Sequence, residues 1–328
     1  MTVMDMREPT ISIIVPAYNV ASYIEAALES LASQTLPPHE VIIVDDGSED
    51  DTWERLRAFP HPYRVELIAT VNQGQGRARN LGIASASGDY VYFFDADDLL
   101  ESDFIEQMHA LITSTHYPDI IFFSGAAFFD EGAKGLGLVR SYRRGFEGEY
   151  TSAADLLAAF ERHGGGSCSP CLYLSKRMLW GDRLGFKAYY HEDEQVFYPL
   201  IFSARRHVVT DRVLFRRRIR HNSTMTMAKC MKHVKGLHGL LGSLLELYRD
   251  PAYRSCRRHI RKRALQYTGQ YMGVCRKVRA PYDLSLLLAL MLGFRNRSMC
   301  LKIVFHALSD SLRIAIKRLM GRGKVCSH

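Results

Sequence analysis

Apolar residues in the first hundred positions fall into short runs: Thr10 to Val15 (TISIIV), Val41 to Val44, Arg64 to Thr70 and Val91 to Phe94, with helix-spaced or polar segments between them. β-Branched and aromatic runs without alternation predict strands covered on both faces, as in a parallel sheet. Ile24, Leu28 and Leu31 share one helical face, with Ser22 available as a cap. A second helix is expected around Asp51 to Phe59, and a third opens in Asn72 to Asn80 and ends near Ser87. Strand, helix, strand with short loops implies right-handed parallel crossovers and an α/β fold. The first strand is expected to stop at Pro16, which lacks the N–H that a ladder needs.

Beyond residue 100 the pattern loosens. Phe104 to Thr113 reads as a helix and Asp119 to Phe129 as a strongly apolar strand. Gly132 to Tyr150, glycine-rich and basic, reads as a hairpin or mobile loop, and GGGS at 164–167 as a hinge or loop before a strand at Cys171 to Leu174. Val196, Phe197, Leu200 and Ile201 are helically spaced, so Glu192 and Asp193 fall in a first turn, and Val208 to Ile219 gives a last strand. From Met225 onward only helical spacing remains: Leu237, Leu240, Leu241, Leu244 and Leu245, then an apolar run Leu284 to Phe294, then Phe305, Leu308, Leu312, Ala315 and Leu319. The run from 284 gives about 16 Å of helix, too short for a hydrocarbon core of about 30 Å. The expected division is a domain at 1–226 and a basic amphipathic helical region at 227–328.

Charge sharpens that division. Residues 1–204 hold 15 Lys/Arg against 30 Asp/Glu, and residues 205–328 hold 28 against 5, so parts of about −15 and +23 lie behind the total of +8. The tail suits an anionic partner, a membrane surface first; nucleic acid is disfavoured because no recognised nucleic-acid motif accompanies the charge, and a solvated packing surface is the plain alternative. MTVMDMREPT carries no secretory-signal pattern, so a cytoplasmic location is expected, with the protein peripheral on the inner face of the cell membrane. Seven cysteines without framework spacing fit reduced thiols, and Cys168 and Cys171, a C-x-x-C, are taken as structural.

The candidate chemistry gathers at Gly88 to Leu100, GDYVYFFDADDLL. Asp95, Asp97 and Asp98 crowd the carboxyl end of a buried strand, where open α/β sheets place their ligands. A divalent cation makes that crowding tolerable, and oxygen ligands suit Mg²⁺ or Mn²⁺. The plain alternative is a strand end before an acidic helix N-terminus. Asp45 and Asp46 have a similar alternative as turn and cap residues. NQGQGRARN does not supply G-x-G-x-x-G, because Arg79 stands where the last glycine is required, so dinucleotide binding is not expected.

Together VPAYN (15–19), VDDGS (44–48), NQGQGRARNLG (72–82) and FFDADD (93–98) resemble the glycosyltransferase family 2 domain, of the inverting GT-A type. The resemblance implies a GT-A fold, Rossmann-like with a mostly parallel central sheet flanked by helices, here with the basic helical extension. It implies that Pro16 and Tyr18 line the nucleotide pocket, that Asp46 with Asp45 meets the base, that Arg79 supports the nucleotide, and that Asp95 and Asp97 face ribose and metal, with Asp98 a rival ligand. Tyr189 to Phe197 contains HED, similar to the family's E-D element, whose Asp is the general base, here Asp193. RIRHNST (218–224) resembles the closing R-x-R-x-x-S-T element, placing Arg218, Arg220 and His221 over the diphosphate; a basic edge strand near a membrane is the alternative.

The function expected is an inverting transfer of sugar from a nucleotide-diphosphate donor, a UDP-sugar first, to a hydroxyl of a lipid-linked, lipopolysaccharide or capsular glycan. Mn²⁺ or Mg²⁺ assists, and one Asp base without a protein nucleophile implies single displacement. A non-catalytic nucleotide-sugar-binding sensor or scaffold is the alternative.

Overall fold

Strands β1 (Ile11–Ala17) and β2 (Glu40–Asp45) are buried along their whole length, as their unalternating apolar sequences require. With β3 (Val65–Ala69) and β4 (Tyr90–Phe93) they form a parallel half-sheet in the order β3-β2-β1-β4. Helices α1 (Ile24–Ala32), α2 (Thr52–Ala58) and α3 (Gln75–Ser85) make the crossovers. The buried face of α1 is Ile24, Ala27, Leu28 and Leu31; each large side chain there contributes about 1.5–3 kcal/mol. The computed structural model describes residues 8–294, except 131–132, 134–141, 182–183, 188–189, 222 and 224–225.

Two local expectations are corrected. β1 continues through Pro16, paired with Val44, to Ala17. The carbonyls of Ile11 and Ala17 accept on the β2 side, from His39 and Asp46, and those of Thr10 and Ile14 accept on the β4 side, from Tyr90 and Phe94. Pro16 alternates with the second set, and the β4 ladder has already ended at Ile14–Phe93, so no N–H is missed there. Ser22 is not the cap of α1: Tyr23 holds that position without a side-chain bond, and Val20 O accepts from the N–H groups of Tyr23 and Ile24 at 2.8 and 2.9 Å.

After β4 come β5 (Leu99–Leu100), α4 (Phe104–Ser114), β6 (Ile120–Phe129), β7 (Gly148–Tyr150), α5 (Ala153–His163), β8 (Tyr173–Lys176), α6 (Glu192–Ser203) and β9 (His207–Ile219). They extend the sheet as β4-β8-β6-β9-β5, with β7 also on β9. β8 runs antiparallel to both β4 and β6, while β6 and β9 are parallel. β4, β6 and β9 therefore point the same way and end on one rim. The short β5, Leu99 opposite Arg216 and Leu100 opposite Phe215, folds the acidic turn after β4 against the end of β9.

The segment at 164–167 is the end of a helix that the sequence pattern had not suggested. Ser152 caps α5 by accepting from the N–H groups of Ala154 and Asp155, and Gly164 closes it in the left-handed region at φ +80°. The strand expected from Cys171 begins at Tyr173, after a 3₁₀ turn opened by Pro170. Of the region 132–150, the described part contains β7 and an isolated bridge from Tyr142 to Gly125; the rest lies outside the described residues.

The chain divides into two compact units after Met227. The described part of the second is helical: α7 (Met231–Arg249), α8 (Arg257–Lys277) and α9 (Leu284–Phe294). Leu237, Leu240, Leu241, Leu244 and Leu245 of α7 are buried, and Tyr248 packs on Phe294 with ring centroids 4.6 Å apart. His238 Nε2 lies 2.8 Å from Asp283 Oδ2 at the start of α9. Leu284, Leu288 and Leu292 remain 73%, 55% and 66% exposed along one side of α9. No described helix is long and apolar enough to cross a membrane. The pattern expected from Phe305 to Leu319 lies outside the described residues.

Candidate active site

The carboxyl ends of β4 and β9 meet in a network of carboxylates and arginines. Asp95 follows β4 and is almost fully buried. Its Oδ1 accepts from Arg79 Nη2 and Gln75 Nε2, both at 2.9 Å, and its Oδ2 from Arg217 Nη2 at 3.1 Å. Burial pushes this carboxyl up, but Arg79 and Arg217 outweigh it and hold the group below the usual carboxylate range. Asp98 is 1% exposed; its Oδ1 accepts from the Arg218 N–H at 2.7 Å, while Oδ2 is buried without a hydrogen bond, 3.7 Å from Arg217 Nε. Burial and the neighbouring Asp97 hold it well above the usual range.

Asp97 is the more open of the three, its side chain 21% exposed against 12% for Asp95 and 2% for Asp98. Its Oδ2 accepts from Arg220 Nε at 2.8 Å, and its carbonyl from Arg218 Nε at the same distance. Arg218 also pairs with Asp130 at 3.2 Å, and both Arg218 and Arg220 lie over the Tyr23 ring, at 5.2 and 4.7 Å.

Asp95, Asp98 and Cys171 present ligand atoms within 4.8 Å of one another, an acid-rich group able to hold a metal ion. Burial pushes the Cys171 thiol well up, so it stays protonated and is a poor partner for a hard cation. The donor that fits one best is an oxygen of the open Asp97 carboxylate, with Asp98 Oδ2, unbonded but favoured in its protonated form by burial, a second hard oxygen beside it. Cys168 and Cys171 are both buried, and neither is in a disulfide.

Arg79 joins this cluster to a second one. Its Nη1 donates to Glu192 Oε1 at 2.8 Å, and its guanidinium lies 5.2 Å from the Phe186 ring centroid. Glu192 opens α6, and burial pushes its carboxyl up to about 7 against the pull of Arg79. Asp193 follows it in the same turn, half-buried, with Oδ1 accepting from the Glu194 N–H at 2.8 Å.

On the parallel half, Asp46 is a loop anchor. Its two oxygens accept from the N–H groups of Gln73 and Gly74, at 2.9 and 2.7 Å, fixing the turn into α3, where Gly74 takes φ +93°. Asp45 accepts from the Ser48 hydroxyl. A cavity of about 460 Å³ opens against it, lined also by Gly47, Asp51, Trp53 and Thr70. Pro16 is buried in β1, and Tyr18, just beyond, is 43% exposed.

Every sequence-derived candidate is among the described residues. Asp95 pairs directly with Arg79, and Asp97 with Arg218 and Arg220; Arg217 and Asp98 link the two groups, and Asp193 adjoins the first through Glu192. Asp45 and Asp46 form a separate patch with the loop before α3. Pattern reading missed Arg217, Gln75, Glu192 as a partner of Arg79, and Tyr23. Arg217 had a signal: it alternates with the apolar Phe215 and Ile219, so a strand places it on their inward side.

Residues 12–166 match the model of Glycosyl transferase family 2. A protein named as a glycosyltransferase, EpsH of Bacillus subtilis (strain 168), is 38% identical over 130 residues, 39% of this chain and 37% of that protein. The chain thus spans little more than a third of that relative. Among solved structures, residues 1–349 of S. aureus TarS, also solved with UDP-GlcNAc, superpose with a TM-score of 0.64 at 18% identity, covering 88% of this chain and 82% of that one. The mannosyltransferase PcManGT from Pyrobaculum calidifontis, solved with GDP-Man and Mn²⁺, gives 0.52 at 18%, covering 96% and 88%. The first unit thus has the GT-A fold of these structures, and residues 12–166 within it resemble glycosyltransferase family 2.

Proposed function

We propose that the protein is an inverting glycosyltransferase that moves one sugar from a nucleotide-diphosphate donor, a UDP-sugar, to a hydroxyl of a lipid-linked, lipopolysaccharide or capsular glycan. The observation that carries this reading is the meeting of two acidic turns, Asp95 to Asp98 after β4 and Glu192–Asp193 opening α6, through one buried arginine, Arg79. A nucleotide binder needs the first turn; only a transferase needs a second carboxylate placed beside it. A nucleotide-diphosphate sugar as donor is supported by the complexes of TarS with UDP-GlcNAc and of PcManGT with GDP-Man and Mn²⁺.

In this reading Pro16, Tyr18, Asp45 and Asp46 form the base end of the donor site, and Asp95 the ribose end. Asp97, with Asp95 or Asp98 as the second carboxylate, would hold Mn²⁺ or Mg²⁺, and the ion would supply neutralisation of charge developing on the leaving diphosphate. Arg218 and Arg220 aim guanidinium donors at the same phosphates. Asp193 accepts the acceptor hydroxyl proton as oxygen attacks the anomeric carbon and the nucleotide leaves from the opposite face. With one base and no enzyme nucleophile, the anomeric configuration inverts. The basic second unit, with its leucine row on α9, attaches the enzyme to an anionic membrane on the cytoplasmic side.

Asp193→Asn tests the assignment: donor binding should persist and transfer should vanish. Transfer at the normal rate by this variant would remove the base.

A further inference from the structure

We propose that Arg79 and Glu192 are positioning residues that set the reach of Asp193, by tying the first turn of α6 to the Asp95 carboxylate at the end of β4. The inference rests on the reading of Asp193 as the base, and it adds two residues and a device to that reading.

The guanidinium of Arg79 is 3% exposed and makes one bond to each side: Nη2 to Asp95 Oδ1 at 2.9 Å and Nη1 to Glu192 Oε1 at 2.8 Å. A planar fork with two engaged nitrogens fixes both distance and angle between its partners, which a lysine ammonium cannot do. The partners belong to different parts of the fold, Glu192 lying 113 residues from Arg79 in sequence. Asp95 is in turn held from the other side by Arg217.

His191 occupies the N-cap position of α6 at φ +69° and offers no side-chain cap bond, so the ordinary device for defining a helix start is missing. Helix α3 holds this region at two successive residues. Arg79 grips Glu192, and the next residue, Asn80, exchanges two bonds with the Phe186 backbone, Nδ2 to the carbonyl and the amide to Oδ1, both at 2.8 Å. Phe186 also lies under the Arg79 guanidinium. One turn of α3 thus clamps the approach to α6 and its first residue. Asp193, immediately after Glu192, has its carboxylate steered by the Glu194 N–H. Its height above the donor is then set by the Asp95–Arg79–Glu192 chain.

The test uses the full chain with Glu192→Gln, Glu192→Asp, Arg79→Lys and the Arg79→Lys/Glu192→Gln pair. Affinity for UDP with Mn²⁺ is measured by calorimetry, turnover as UDP release from the UDP-sugar that binds, and folding by thermal melting. Glu192→Gln should keep UDP affinity within about twofold and lose about tenfold to a hundredfold in kcat, the scale of a misplaced reacting group. Glu192→Asp keeps the charge but is one methylene short of Arg79, so it should lose kcat as well while melting near the parent. The pair should be no slower than the slower single variant, because both break one link. Full kcat in Glu192→Asp or Glu192→Gln, or a loss of UDP affinity as large as the loss in kcat, overturns the proposal. Asp193→Asn is run alongside: normal turnover there defeats the base assignment itself, whereas an inactive Asp193→Asn beside a fully active Glu192→Gln defeats the positioning role alone.

Discussion

Arg220 Nε stands 2.8 Å from Asp97 Oδ2, so the most open carboxylate of the acidic turn is paired with a cation delivered from just past the end of β9. The same guanidinium lies over Tyr23 and is therefore held at the site when Asp97 turns to another partner. If Arg220 meets the donor diphosphate as proposed, Arg220→Gln removes one charge-assisted contact worth about 1.5–3 kcal/mol. UDP affinity should fall about tenfold or more while uridine affinity, lacking phosphate, stays the same. Titration of both ligands checks this; an equal loss for uridine would place Arg220 at the base end instead.

Arg144 is fully buried and, among the described residues, has no carboxylate partner. Its guanidinium donates to the carbonyls of Phe123, Gly165, Ser167 and Leu172, at 3.0, 2.6, 3.1 and 2.8 Å, and packs on the Phe122 and Phe160 rings. Burial lowers its pKa to about 10. It pins the segment between α5 and β8 that carries Cys171. Arg144→Met strands several carbonyls at about 1–3 kcal/mol each, so urea unfolding should show a loss of about 3 kcal/mol or more. A change below about 1 kcal/mol would mean that those carbonyls find other donors.

Acid stability should depend on Asp211. It sits in β9 beside the irregularity in β6–β9 pairing and accepts from Ser124 Oγ at 2.6 Å, from the Gly145 N–H at 2.9 Å and from Arg143. Slight burial pushes its carboxyl up, but the bonds from Arg143, Ser124 and Gly145 prevail and bring it down to about 2. A carboxyl lowered in the folded state adds stability that is complete above the unfolded value of about 3.9 and is lost as pH falls through the folded value. Melting curves from pH about 5 to about 2 should therefore fall more steeply for the parent than for Asp211→Asn. Parallel curves would contradict the shift.

Much of the parallel half was legible because its strands are buried on both faces: TISIIV and Val41 to Val44 can be little else. Pro16 misled because a proline breaks a ladder only on its own side, and the sequence does not say on which side a neighbour ends. β5 is two residues long and exists only through Arg216 and Phe215, so no local pattern announces it. α5 had its signals, Ser152 as cap and the spaced Leu156, Leu157 and Phe160, hidden between glycine-rich flanks. The acidic turns at 95–98 and 192–193 were legible as chemistry. That Arg79 joins them was not, since contacts between distant segments leave no periodicity in sequence.

The second unit should carry the membrane affinity. With up to about 1 kcal/mol per basic residue near an anionic surface and an exposed leucine row on α9, the full chain should sediment with acidic vesicles and less so at high salt. Removing residues 229–328 should release it. Unchanged sedimentation of the shortened chain would move the contact to the first unit.

The central claim is a metal-assisted nucleotide-sugar site at the acidic turn, and calorimetric titration of the purified full chain with UDP-, GDP-, dTDP- and CMP-sugars, with Mn²⁺ and with EDTA, tests it most directly. The account predicts that a UDP-sugar binds, that EDTA abolishes the binding, and that Asp97→Asn does the same in the presence of Mn²⁺. Binding of none of the donors, or binding indifferent to both EDTA and Asp97→Asn, would contradict it.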